Sequence, residues 1–245
     1  MIPLSRAGRY GFGAAVAASG LMQLVNGDFV RLVAKLPPWM GTSAAWPATT
    51  GILMLLMGAA ILSGYRSKPA SLLFGALLLG MFIVKCIPEI WSNPAAGYMW
   101  TNPAKVLALF GGAMVLGERA GKWPWLAPVL LGIFLLICGA QHFVYAGFVD
   151  TLVPAWLPPG PRFWTIFCAV ALLVGGVGVV LPRTRRVAGL WSGVMIFLWI
   201  FLVHLPRSVE MKSAPELAGV FEALALAAVC WLVAESPRGA VTSTK

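Results

Sequence analysis

Two histidines, His142 and His204, are the first candidates for chemistry, because each follows a long apolar run. His142 lies 17 residues after Trp125, and His204 lies 17 residues after Val187. At about 1.5 Å of rise per residue, helices that begin there would place both imidazoles at a similar depth. Converging imidazoles can contact a quinone carbonyl or ligate a haem or a metal, whereas separate ones bond a carbonyl at a helix end. The spacing leaves these alternatives open.

Gln141 and Trp156 complete the candidate binding site with the two histidines. A glutamine amide inside a membrane span must find polar partners, so Gln141 is predicted to face other helices, chiefly as a structural link. Trp156 lies in the segment Pro154–Pro161, where prolines stiffen the chain and could hold the indole over the end of a helix bundle. Lys35–Trp39 is a similar proline-rich segment.

No metal site is predicted from the remaining residues. The four cysteines lie within or at the ends of apolar runs, without a C-x-x-C motif or the spacing of zinc ligands. The chain has no nucleotide-binding loop, nucleophile triad or paired-carboxylate site. The cofactor is left open at this point, with a quinone at the histidines as the first candidate and haem as the less favoured one.

Two pairs of opposite charges lie near the ends of apolar runs. An ionisable residue in a membrane span is a functional candidate, because its burial is costly. Lys105 and Glu222 either form one salt bridge between the halves of the chain or snorkel outward separately, and snorkelling is the favoured alternative. Lys85 and Glu89 are four residues apart, so they are predicted to pair on one helix face.

The composition requires a lipid environment for the elements that carry these residues. Of 245 residues, 60% are hydrophobic and 11% are charged, and the mean hydropathy is +0.86. A soluble domain has about 25% charged residues, so this chain cannot cover a water-facing surface. The lipid bilayer is its predicted partner. The basic residues lie in short loops between apolar runs, which does not indicate nucleic acid.

The apolar runs are continuous, which favours helices over the alternating pattern of membrane strands. About 20 apolar residues cross the hydrocarbon core. The sequence therefore predicts an all-α integral membrane fold with eight transmembrane helices: Tyr10–Asn26, Pro47–Gly64, Ala70–Trp91, Pro103–Gly117, Trp125–Ala146, Trp164–Leu181, Val187–Leu205 and Leu217–Ala234.

The connections between these helices alternate in charge. One side holds eleven cations and two acids (+9), and the other holds seven cations and six acids (+1). Cationic loops stay in the cytoplasm, so we expect a multi-pass protein of the inner (plasma) membrane with both termini cytoplasmic. Arg183, Arg185 and Arg186 form a basic patch on the cytoplasmic side, where contact with anionic lipid is expected.

The two halves of the chain align with each other. Trp46 matches Trp164 and Pro88 matches Pro206, both 118 residues apart. Each half holds four predicted helices, an even number, so the copies would have the same orientation. The prediction is two tandem four-helix units, residues 1–118 and 119–245, related by a parallel pseudo-twofold axis. The copies differ at polar positions: Gln23 aligns with His142, and Cys86 aligns with His204.

A motif in the second half resembles a known family. The order is His142-Phe143, then Val153 to Pro158, then Phe163-Trp164, a glycine-rich helix and Pro182-Arg183. This order is similar to the DoxX family of small four-helix membrane proteins, and it covers about Gly132 to Pro206, with a weaker copy in the first half. Relatives carry an acidic residue before the glycines, where this chain has Leu172 and, in the first copy, Met54.

The resemblance implies a component of a membrane redox complex, because the family includes a subunit of a thiosulfate:quinone oxidoreductase. We therefore expect a subunit that binds quinone or a lipid-like ligand and acts with a membrane or periplasmic redox partner. The missing acid weighs against catalysis. Two other functions are a carrier for a small or lipidic molecule, which the duplication favours, and a structural or assembly factor without a ligand.

Overall fold

The structure is a computed structural model that describes residues 3–30, 32, 43–118, 122–212 and 214–237, with the side chains of 98, 214 and 215 excepted. The predicted proline-rich segment Lys35–Trp39 lies outside these residues. Helices dominate the described residues, which contain no strand. The predicted all-α class is confirmed.

Eight long helices follow one another along the described residues. We number them in chain order: α1 Leu4–Asn26, α2 Ala45–Ser63, α3 Ser67–Ser92, α4 Thr101–Leu116, α5 Leu126–Val144, α6 Pro161–Val180, α7 Arg185–Met211 and α8 Ala214–Ala234. Six of them, all except α1 and the 16-residue α4, are long and apolar enough to cross a membrane. The helical form follows from lipid, where each backbone polar group must bond within its own segment.

Helices α3 and α7 each contain one π-helical turn. The turns are Phe82–Cys86 and Ile200–His204, and each is followed by a proline, Pro88 or Pro206. In α7 the N–H of Leu205 bonds to the carbonyl of Ile200, five residues back. A proline ring clashes with the carbonyl four residues before it, and a wider turn relieves that clash.

The predicted end of the seventh helix at Leu205 is therefore wrong. Pro206 reads as a stop signal, but the π turn accommodates it and α7 continues to Met211. His204 consequently lies inside the helix, within the π turn, and not at the helix end.

The helices pack as a ring in which each contacts the helix that follows it in the chain, and the last helix closes the ring against the first. Helix α1 packs on α2 and α8, while α5 packs on α6 and α4. Within each half the second helix meets the third and the third meets the fourth, and α4 also contacts α8. The first helix of each half thus packs on the second helix of its own half and on the last helix of the other half, rather than completing a separate four-helix bundle.

The core contains Leu172 and Met54, the two residues that stand where the resemblance leads one to expect an acid. Leu172 is 1% exposed and Met54 is fully buried, on α6 and α2 respectively. They are 118 residues apart. Both positions therefore serve packing in this chain.

The start of α1 and the end of α8 meet on one side of the bundle. The backbone N–H of Ser5, in the first turn of α1, donates to Glu235 Oε2 at 2.8 Å, just after α8. We call this the terminal side, and the opposite side, which holds the C-terminal ends of α5 and α7, the distal side. A carboxylate beside the first turn of a helix satisfies open N–H groups and opposes the helix dipole.

We expect Glu235→Gln to cost about 0.5 kcal/mol at neutral pH, a small effect because solvent screens the pair. Slight burial raises the pKa of Glu235, but hydrogen bonds from Ser5 and Leu4 and the charge of Arg186 outweigh it and hold that pKa below its usual value of 4.5. A depressed carboxyl pKa stabilises the fold above pH 4.5, and this contribution disappears as the pH falls through the folded-state value. Thermal unfolding midpoints of both proteins, measured down from pH 7, should converge in acid. A constant gap would contradict the assignment.

Candidate functional site

His142 lies in the last turn of α5, on the distal side, and is half-buried. Its Nδ1 lies 2.7 Å from the carbonyl oxygen of Cys138, one turn earlier. The carbonyl only accepts, so the hydrogen-bond network assigns the proton to Nδ1. The ring stacks on Trp199 of α7, with 6.2 Å between centroids and 26° between planes. Two contacts therefore fix the orientation of the imidazole.

Trp199 links His142 to the π turn of α7. It directly precedes that turn, whose i→i+5 bonding places His204 one turn beyond Trp199 on the same face. The thiol of Cys168, on α6, lies within hydrogen-bonding reach of the Trp199 indole. Among the described residues there is no hydrogen bond or ring contact between the two histidines. The convergence of the two histidines on one ligand stays a prediction.

Gln141 faces away from this cluster, toward the other half of the chain. Its Nε2 donates to the carbonyl of Gly97 at 2.7 Å, and its Oε1 accepts from the Thr101 hydroxyl at 2.6 Å. These bonds fasten α5 to the start of α4, as the predicted structural role requires. A groove of about 300 Å³ lies beside them, lined by Gly97, Trp100, Ile137, Ala140, Gln141, Val144 and Tyr145.

Trp156 lies in the connection before α6 and is 69% exposed. Its indole is therefore not buried against the imidazoles. The connection is held at its ends by Asp150, which accepts from Thr165 at 2.7 Å and pairs with Arg162 at 3.0 Å. A role of Trp156 as a cover for the site stays a prediction.

Lys105 and Glu222 form a buried ion pair, so the favoured prediction of separate snorkelling is wrong. Lys105 Nζ lies 3.1 Å from Glu222 Oε2, and the side chains are 6% and 20% exposed. Lys105 also donates to Asn102 Oδ1 at 3.0 Å. The pair joins α4 to α8, where the two halves of the chain meet, and that contact shields both charges from lipid.

Cys138 lies between this ion pair and His142. Its thiol is close enough to feel both charges of the pair, and its carbonyl holds the imidazole. The predicted pair Lys85 and Glu89 is confirmed, at 2.9 Å, and Lys105 is also an electrostatic neighbour of Cys86. A polar chain thus runs from the junction of the halves to Trp199.

Arg185 is the second correction among the charged residues. The sequence predicts contact with anionic lipid, but its side chain is 4% exposed. Its Nε donates to the carbonyl of Val179 at 3.1 Å, and its Nη1 donates to Pro237 at 3.3 Å. Arg185 therefore closes the end of α6 and holds the chain that follows α8.

Trp199 is the member of the site that the sequence did not indicate. No spacing rule for an ordinary α-helix puts residues 199 and 204 on one face. The available signal was Pro206, because a proline inside a long apolar run is compatible with a widened turn.

Comparison with known proteins gives one family match. A family model described as a domain of unknown function (DUF8561) matches residues 131–235, which run from α5 to the end of α8 and include His142, Trp199, His204 and Glu222. No curated protein matches the chain, and no solved structure matches it.

Proposed function

We propose that the chain is a DoxX-like protein of eight transmembrane helices in two tandem units, 1–118 and 119–245, with a parallel pseudo-twofold axis. Three observations support this. The π turns begin at residues 82 and 200, 118 apart. The first helix of each half packs on the last helix of the other. Met54 and Leu172 are equally buried at the same offset.

The proposed topology places the terminal side in the cytoplasm and the distal side outside the plasma membrane. The loop charges, +9 and +1, support this orientation. A fluorescent protein that folds only in the cytoplasm should be bright when fused after Lys245 and dark when inserted after Asn93. The reverse pattern would show that the orientation is opposite to the one proposed.

The proposed function is to bind a quinone or a similar lipid-soluble ligand on the distal side of the second unit, as a membrane subunit that acts with a redox partner protein. The observation that carries it is the fixed imidazole of His142. Its Nδ1 bond at 2.7 Å and its contact with Trp199 hold the ring in place within a membrane span. A preorganised polar group beside an aromatic face is typical of ligand sites.

The test is the quinone content of protein purified in mild detergent. We expect quinone, counted as its oxidised and reduced forms together, to copurify with the wild type, and His142→Ala to lower the bound amount about tenfold, the loss of one hydrogen bond from the reduced ring and of the ring contact. The matched control is Phe143→Ala, since Phe143 is the next residue along α5 and is 47% exposed. Equal amounts of bound quinone in His142→Ala and Phe143→Ala would contradict the site. A haem absorption band in the purified protein would identify haem, and not quinone, as the ligand.

A carrier is the second candidate, and the π turns favour it. The sequence shows no span broken at mid-depth, but both third helices are interrupted. Irregular helices in transporters line substrate sites. Uptake of a labelled lipidic substrate by proteoliposomes would support the carrier, whereas a stable partner without bound ligand or uptake would support an assembly factor.

A further inference from the structure

One nitrogen of the His142 imidazole is committed, and the other offers a lone pair. Nδ1 donates to Cys138, so in the neutral imidazole Nε2 carries no proton and can only accept. Within the described part of the chain, no group donates a hydrogen bond to Nε2. An acceptor in a membrane span gains most from a donor, because no lipid tail can supply one.

The donors around this imidazole are engaged with other groups or are not directed at Nε2. The indole of Trp199 stacks on the imidazole with 26° between planes, so its N–H does not point along the in-plane lone pair of Nε2. The ammonium of Lys105 is shared between Glu222 and Asn102. The amide of Gln141 donates to Gly97 on another face of α5. The group that this site offers to a ligand is therefore a hydrogen-bond acceptor, Nε2 of His142.

The neighbouring surface is aromatic. The planes of His142 and Trp199 differ by only 26°, so both present flat faces in nearly the same orientation. A planar ring packs well against such faces. The distal location, near the end of α5, matches a ligand whose polar head lies toward the interface and whose tail lies in lipid.

We propose that the site recognises a ring hydroxyl that donates to His142 Nε2, so that it prefers a hydroquinone-type head group over the corresponding quinone. A quinone carries only acceptor oxygens, which cannot bond to the lone pair of Nε2. This inference rests on the proposed function and specifies the redox form that the site holds. The subunit then binds the reduced form of the ligand, with no bond made or broken at His142.

The experiment compares three probes that carry the same decyl chain: a benzoquinone, its hydroquinone kept reduced under anaerobic conditions, and the dimethyl ether of that hydroquinone. Dissociation constants are measured on the full-length chain in detergent by quenching of tryptophan fluorescence. We expect the hydroquinone to bind about fivefold or more tightly than either other probe, the value of one neutral hydrogen bond. The ether keeps the ring and the tail but cannot donate.

His142→Phe keeps an aromatic ring beside Trp199 and removes both nitrogens. We expect this variant to bind the three probes with equal affinity, while Phe143→Ala keeps the preference of the wild type. If the wild type binds the three probes with equal affinity, the inference is overturned. The proposed function then still stands, since binding occurs. A preference that persists in folded His142→Phe also overturns it. If none of the three probes binds, the inference and the proposed function are both overturned. The comparison of the three probes on the wild type tests the inference even when the variant does not fold.

Discussion

Lys105→Met should destabilise the protein by about 3–5 kcal/mol, because it leaves the carboxylate of Glu222 buried and uncompensated. The ammonium of Lys105 lies 3.1 Å from that carboxylate, and its side chain is only 6% exposed. The measurement is the thermal unfolding midpoint of the purified protein in detergent, supported by its yield from membranes.

The double variant Lys105→Met/Glu222→Leu should recover most of that loss. Replacing both members of a buried ion pair with apolar residues of similar size is often neutral or stabilising, because two desolvation penalties disappear with the pair. Additive losses in the double variant would mean that each charge acts alone, as separate snorkelling requires. The exchange Lys105→Glu/Glu222→Lys tests the same coupling with charges retained.

Lys85→Met is the matched control for this prediction. Lys85 pairs with Glu89 at 2.9 Å within one helix, but the side chains are 20% and 38% exposed. A partly exposed pair contributes about 0–1 kcal/mol, so the control should unfold close to the wild type. A loss as large as that of Lys105→Met would show that removal of any cation near the distal side destabilises the protein.

The ion pair shows what the sequence can and cannot predict in a membrane fold. The sequence offered a salt bridge between Lys105 and Glu222 as one of two alternatives, and the structure brings the two side chains together. The direction of the side chains was not predictable, because a helix that is apolar all round carries no stripe that identifies its buried face. Helix existence, in contrast, follows from run length, and all eight predicted helices overlap an observed one.

The site illustrates the same limit. The depth of His142 was predictable from its distance to Trp125, and its place in the last turn of α5 agrees. The contact with Trp199 was not predictable, because an apolar helix carries no stripe that identifies which of its faces meets α5. Arg185 was misassigned because a charged residue in a short loop looks the same in sequence whether it faces lipid or closes a helix end.

Gly58→Ala should destabilise the protein by about 1–3 kcal/mol, since it forces a methyl group into a tightly packed contact. A Cβ at Gly58, on α2, would lie 2.3 Å from the backbone nitrogen of Ala17 and 2.6 Å from its Cα. Both atoms belong to the backbone of α1, so no side-chain rotation relieves the clash. Small residues at such contacts let helices approach closely in lipid, where packing takes the place of hydrophobic attraction.

Gly80→Ala provides the control within the same bundle. Gly80 lies in the interior of α3, and a Cβ there meets no atom within 4 Å. The change should therefore be neutral or stabilise the helix by about 0.5–1 kcal/mol, through the propensity of alanine alone. Thermal unfolding in detergent separates the two variants, and equal midpoints would mean that α1 and α2 can move apart at little cost.

Gly176→Ala extends the comparison to the second half. Gly176 lies 118 residues after Gly58, and its Cβ would meet the side chain of Leu136 at 2.8 Å and the carbonyl of Gly132 at 3.0 Å. The nearest atom is the branch of a flexible side chain, so we expect a smaller loss than at Gly58. Such an order of effects would locate the tighter helix contact between α1 and α2 in the first half, and the more adaptable one between α5 and α6 in the second half.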